Sequence, residues 1–133
     1  MRISERRARW GLLLAGAATM TTSVAAIAPQ TGLMLLFGTT VSDPLALLIV
    51  RSWAVLVSLI GAGLIYACIR PNDRRVLVGL AMISKTAFMA LLLGFGGAYL
   101  GTTWSMLIFD CAMIVFFAAL LMQADEAICD TVA

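Results

Sequence analysis

The sequence predicts an all-α bundle of four membrane-spanning helices, with residues 1–133 forming one integral membrane domain. Composition is the first observation behind this. Hydrophobic residues make up 62% of the chain and charged residues 12%, where a soluble domain has about half and about a quarter. Mean hydropathy is +1.04. Length is the second, because four apolar runs approach the roughly 20 residues that a hydrocarbon core about 30 Å thick requires. The third is charge placement: arginines gather before the first run and between the second and third, leaving the other two connections without Lys or Arg.

The first run extends from Gly11 to Ala28, diluted by Thr19, Thr21, Thr22 and Ser23 and ended by Pro29. Small hydroxylated residues in such a helix are expected to face neighbouring helices and hydrogen-bond across to them. Arg2, Arg6, Arg7 and Arg9, followed by an apolar stretch and Ala26-Ile27-Ala28, also fit a cleaved secretory signal. A proline directly after the cut, and the three helices that cleavage would leave, favour a retained span. Next comes Leu33-Met34-Leu35-Leu36-Phe37, too short to cross the bilayer and too apolar for water. It is expected to lie along the interface as a helical turn or two before Gly38, either as an anchor or as a lid over a site between helices. The remaining spans are predicted at Leu45–Ile69, Val76–Leu100 and Thr103–Met122, the last two joined by Gly101-Thr102.

Orientation follows from the positive-inside bias. Four arginines precede the first span, and Arg70-Pro71-Asn72-Asp73-Arg74-Arg75 follows the second, so both segments are expected in the cytoplasm. After four crossings the tail with Asp125, Glu126 and Asp130 ends there too. Trp10 and Trp104 fall near opposite interfaces, as an aromatic belt requires.

Three ionisable residues interrupt the apolar spans: Arg51, Lys85 and Asp110. Each costs about 2.5 to 3.5 kcal/mol near a helix centre, so they are expected to face the bundle interior and to find partners. Their depths overlap in the outer half of the membrane. Ala54, Ser58, Gly61, Ala62 and Ile65 follow Arg51 at spacings of three and four, a small-residue stripe expected to pack on another helix. Ala81 and Ser84 lie near Lys85, and Met106, Met113 and Phe117 share a face with Asp110. Asp110 is therefore expected to pair with Arg51, Lys85 or both. Two cations and one anion leave a surplus positive charge, which suits an anionic or carbonyl-bearing ligand such as a lipid head group or a quinone. Trp53, Ser58, Ser84 and Tyr66 are candidate lining residues, although packing alone would also explain Trp53 and Tyr66. An ion cluster that only fixes helix register is the competing reading.

Several classes are disfavoured. With no His in the chain, the commonest metal ligand and proton shuttle is missing, and neither a metal nor another cofactor is expected. Cys68, Cys111 and Cys129 show no C-x-x-C spacing and no even count. No basic patch interleaves with aromatics, so nucleic acid is not an expected partner.

A proline-ended first helix, the segment Leu36-Phe37-Gly38, and a second helix reading Arg51-Ser52-Trp53-Ala54 through Gly61-Ala62-Gly63-Leu64-Ile65-Tyr66 resemble the DoxX-like group of small four-helix bacterial membrane proteins. The basic turn Arg70–Arg75 continues the pattern. That resemblance implies an inner-membrane protein, and for such proteins a role as a small accessory subunit of respiratory or redox complexes. The first span carries no acidic residue of the kind small multidrug transporters use, and the thiol pair of vitamin K reductase relatives is missing. The expected function is a non-enzymatic accessory or assembly subunit of a larger membrane complex, in contact with a membrane-protein partner or a second copy of itself. The alternative is a small transporter or a lipid- or quinone-binding protein using Arg51, Lys85 and Asp110.

Overall fold

The computed structural model describes the backbone of residues 3–132 and the side chains of residues 3–123. Arg2 and the side chains of Asp125, Glu126, Cys129 and Asp130 lie outside this description. Among the described residues there are six α-helices and no strand: α1 (Glu5–Met20), α2 (Ser23–Ile27), α3 (Pro29–Phe37), α4 (Pro44–Ile69), α5 (Arg74–Phe95) and α6 (Leu100–Val132). Four stretches are long and apolar enough to cross a membrane, namely Glu5–Ile27, Pro44–Ile69, Pro71–Phe95 and Gly97–Gln123. The chain is an all-α, multi-pass membrane bundle.

The first span starts earlier than its apolar run, because Glu5 to Arg9 already belong to α1. It also breaks after Met20. There the Thr21 hydroxyl donates to the Ala18 carbonyl at 2.7 Å, while the Thr21 and Thr22 amides make only long bonds three residues back, both at 3.3 Å. β-Branched residues whose hydroxyls compete for backbone carbonyls weaken a helix at such a point. The other hydroxyls in the spans behave similarly. Thr19, Ser58, Thr86 and Thr103 each donate to the backbone carbonyl four residues earlier, so Thr19 does not bond across to a neighbouring helix as the first span's hydroxyls were expected to.

Pro29 starts α3 and Gly38, in the left-handed conformation at φ 67°, ends it. The segment expected to be a turn or two is thus a nine-residue helix. It packs closely on α2, where a Cβ on Gly32 would lie 2.4 Å from that of Ala25. Asp43 then caps α4, its side chain accepting from the Ala46 amide at 2.8 Å, with Pro44 in the first turn. The last connection also shifts: α5 stops at Phe95, a 3₁₀ turn covers Gly97–Tyr99, and Gly101-Thr102 already lie in α6. Gly94, Gly96 and Gly97 supply the weak helix formers that move this boundary.

The bundle has two unlike halves. At the arginine-rich end, which carries the start of α1 and the Arg70–Arg75 turn, all four long helices contribute to one core. It contains Ala8, Leu12 and Ala15 of α1, Leu64 and Ala67 of α4, Val78 and Ala81 of α5, and Met113, Phe117 and Leu120 of α6. Arg74 fastens this end, its guanidinium donating to both Glu5 carboxylate oxygens at 2.9 and 3.2 Å. Helix α1 packs chiefly on α4 and α5 chiefly on α6. The α1–α4 crossing is tightest at Gly16 and Gly61. A Cβ on Gly61 would lie 2.9 Å from the Gly16 carbonyl oxygen and 3.0 Å from the Met20 amide nitrogen. Trp10 and Trp104 stand exposed toward opposite ends, 58% and 63% accessible, where an aromatic belt places them.

Gly61→Ala should therefore push α1 off α4 and destabilise the protein by about 1–3 kcal/mol. Gly79→Ala, with open space around its would-be Cβ, should be neutral or slightly stabilising. Thermal unfolding of both variants in one mild detergent checks the contrast. Equal melting temperatures would mean that the crossing is not a close backbone contact.

Candidate functional site

Beyond the packed half lies a half-open cavity of about 1070 Å³. Helices α3 to α6 and the end of α1 all line it. Most of the wall is apolar, including Leu56, Ile60, Leu80, Ile83 and Met106. The polar exceptions are Thr19, Thr21 and Thr22 at the end of the first span, Thr102 of α6, and a charged pair with its neighbours. Lys85 of α5 donates to the Asp110 carboxylate of α6, with Ser84 and Ser105 on the same lining.

The pair is largely withdrawn from solvent, with side-chain accessibilities of 13% for Lys85 and 8% for Asp110. Lys85 lies about 16 Å along α5 from Arg74 and Asp110 about 15 Å along α6 from Leu100, which sets them near the middle of a core about 30 Å thick. Asp110 is deeper than expected, because α6 starts three residues before the predicted span. The inward faces of the two helices match the sequence reading. Ala81 enters the core and Ser84 the cavity wall, while Met106 lines the cavity and Met113 and Phe117 fill the core beneath it.

Arg51 is not part of the site. It is exposed, and among the described residues it makes no ion pair. The cause is helical drift. Ala54 and Gly61 of the small-residue stripe are buried as expected, Gly61 against α1. Ten residues separate Arg51 from Gly61, however, and at about 100° per residue this turns the arginine about 80° off the buried line. The cavity is lined from α4 by Trp53, Leu56, Val57 and Ile60. Measured from Trp53, Arg51, Ser58 and Tyr66 are turned by about 140° to 160°, on the far side of the helix. Ser58 bonds its own backbone and Tyr66 is exposed, so of the four candidate lining residues Trp53 and Ser84 reach the cavity. Ala62 of the stripe is exposed as well.

Removing Arg51 changes the charge balance. One lysine faces one aspartate, and the surplus cation inferred from the sequence is not at the site. A neutral ion pair offers an ammonium donor and a carboxylate acceptor side by side, which suits carbonyl or hydroxyl groups better than a free anion.

Aromatic rings gather at the end of the cavity opposite the arginines. Trp53 and Phe88, both on the lining, stack at 6.0 Å between centroids. Phe37 of α3 contacts Trp53 at 6.2 Å and Tyr99 edge-on at 6.3 Å. This arrangement lays α3 over the end of the cavity, with Leu35 and Leu36 facing in. Phe37 belongs to the segment read from the sequence as an interfacial anchor or a lid, whereas Phe88, Thr102 and Ser105 were not singled out as site residues. A signal did exist for the last helix, where Thr102, Ser105, Met106 and Phe109 repeat at three- and four-residue spacing.

Among the described residues no group of three or more His, Cys, Asp or Glu comes together to hold a metal. The chain matches no family model, no curated protein and no solved structure.

Asp110→Asn should leave the Lys85 ammonium facing an apolar cavity without its carboxylate, at a cost on the order of 3–5 kcal/mol. Replacing both partners, Lys85→Met with Asp110→Leu, should restore most of that loss. Unfolding midpoints in detergent report both effects. A single variant as stable as the parent would refute the pairing.

Proposed function

We propose that the protein is a binding protein of the bacterial inner membrane, with both termini cytoplasmic, that holds a quinone- or lipid-like molecule in its central cavity. The observation that carries this reading is the Lys85–Asp110 ion pair on the wall of an otherwise apolar cavity. Ligand sites combine an apolar lining with a few polar groups in volumes of about 300–1000 Å³, and this cavity, at about 1070 Å³, slightly exceeds that range. The lysine donates to a carbonyl oxygen of the ligand and the aspartate accepts from a hydroxyl. Ser84 and Ser105 supply further partners, and Trp53 and Phe88 present ring faces to a flat head group. An acyl or isoprenoid tail continues along Leu56, Leu80 and Ile83. The cytoplasmic placement of the ends rests on the arginines before α1 and in the Arg70–Arg75 turn. The resemblance of Pro29, Leu36-Phe37-Gly38, the Arg51–Tyr66 stretch and the Arg70–Arg75 turn to the DoxX-like group would place the protein beside redox complexes.

A second reading, an accessory or assembly subunit, is favoured by Arg51. An exposed arginine about 10 Å into α4 stands on an apolar helix surface at a cost of about 2.5–3.5 kcal/mol if unrelieved. A partner's carboxylate would relieve it, as would extension of the side chain toward the interface.

Binding is tested with a short-chain quinone and with phospholipid, added to purified protein that keeps Trp53 but carries Phe at positions 10 and 104. Quenching of Trp53 should follow ligand addition, and the Lys85→Met/Asp110→Leu protein should bind at least about tenfold more weakly. Undiminished affinity in that double variant would overturn the cavity reading. Copurification in mild detergent addresses the second. A stable partner lost on Arg51→Gln supports it, and a lone species counts against it.

A further inference from the structure

A second cavity, of about 240 Å³, opens at the arginine-rich end, on the outer side of the α1–α4 seam. Arg6, Arg9, Trp10, Leu13 and Cys68 line it. We propose that it is a site for one anionic phospholipid, with the phosphate held between Arg6 and Arg9 and the start of an acyl chain along Leu13 and Cys68.

Spacing and charge carry the assignment together. Arg6, Arg9, Trp10 and Leu13 follow one another at three, four and seven residues, a single stripe of α1 turned away from the core residues Ala8, Leu12 and Ala15. Along it the chemistry changes from cation to indole to aliphatic. That is the sequence of environments from lipid phosphate through the interface into hydrocarbon. The second wall comes from α4. Cys68 Sγ lies 3.3 Å from the Arg9 carbonyl oxygen, which sets α4 close against this stretch of α1.

The arginines are also available. Glu5 is the acidic residue nearest them on α1, and Arg74 occupies both of its oxygens at 2.9 and 3.2 Å. Arg9 approaches Glu5 only loosely, Nε to Oε2 at 3.8 Å, and Arg6 makes no ion pair among the described residues. The stems of Arg6 and Arg9 line the groove one turn apart on α1, and their guanidinium groups, which bind phosphate through paired N–H donors, can swing onto one phosphodiester beside it. Arg7 belongs to the same basic cluster but does not line the cavity.

The test compares two variants of equal charge. Parent, Arg6→Gln/Arg9→Gln and Arg7→Gln/Arg70→Gln proteins are each exchanged into mixed micelles of phosphatidylglycerol and phosphatidylcholine, and retained lipid is counted by native mass spectrometry. All four arginines are exposed, and circular dichroism verifies that each variant keeps its helices. The proposal expects one phosphatidylglycerol retained by the parent and by the Arg7/Arg70 variant. Retention should fall roughly tenfold in the Arg6/Arg9 variant. Equal loss in both variants would show diffuse attraction to an anionic surface, and no loss in either would show that the groove holds nothing; both results overturn it. Inorganic phosphate is added as a competitor. A lipid site should keep its lipid, whereas displacement would assign the groove to a free anion instead.

Discussion

A lysine and an aspartate on different helices, both near the middle of an apolar slab, have to meet, and their meeting sets the alignment of α5 against α6. Sliding one helix past the other by a single turn, about 5.4 Å, would part the charges and leave each facing hydrocarbon. Pairs of this kind contribute less to net stability than to choosing one register over its neighbours. Much else rests on that register. With Lys85 opposite Asp110, Val78 and Ala81 lie beside Met113 and Phe117 in the core, and Phe88 comes level with Trp53.

Closure of the bundle at one end and its opening at the other have a common origin in side-chain size. Where α1 crosses α4, glycines at 16 and 61 let the backbones touch, and Leu12, Leu64 and Phe117 then fill the space between all four long helices. Beyond that point α1 breaks at Thr21-Thr22, α2 continues the first span against α4, and α3 packs on both α4 and α6. The cavity lies in this half, and the ion pair is part of its wall.

The sequence made the spans legible because apolar run length is a direct measure of bilayer thickness, and it made Lys85 and Asp110 legible because charge in hydrocarbon is rare and costly. Gly61 and Ala54 were also readable, as small residues at helical spacing. What it concealed was angle. A spacing of three or four keeps residues on one face over a turn or two, but over the ten residues from Arg51 to Gly61 the drift carries a side chain out of the interface. Arg51 was placed with the buried stripe for that reason, Tyr66 is exposed, and half-buried Ser58 turns its hydroxyl onto its own helix. The break at Thr21-Thr22 was hidden as well. Those threonines read as dilution of an apolar run, whereas the hydroxyl of Thr21 turns back onto its own helix and weakens it there.

Division of the molecule into a closed half and an open half separates the residues that hold it together from those that shape its cavity. Leu12, Leu64, Val78 and Phe117 leave no room for substitution without a void, whereas Leu36, Leu80, Ile83 and Met106 border empty volume and tolerate changes of shape. In a molecule built this way the contour of the cavity wall can change through a few substitutions, while assembly in the bilayer stays as it was.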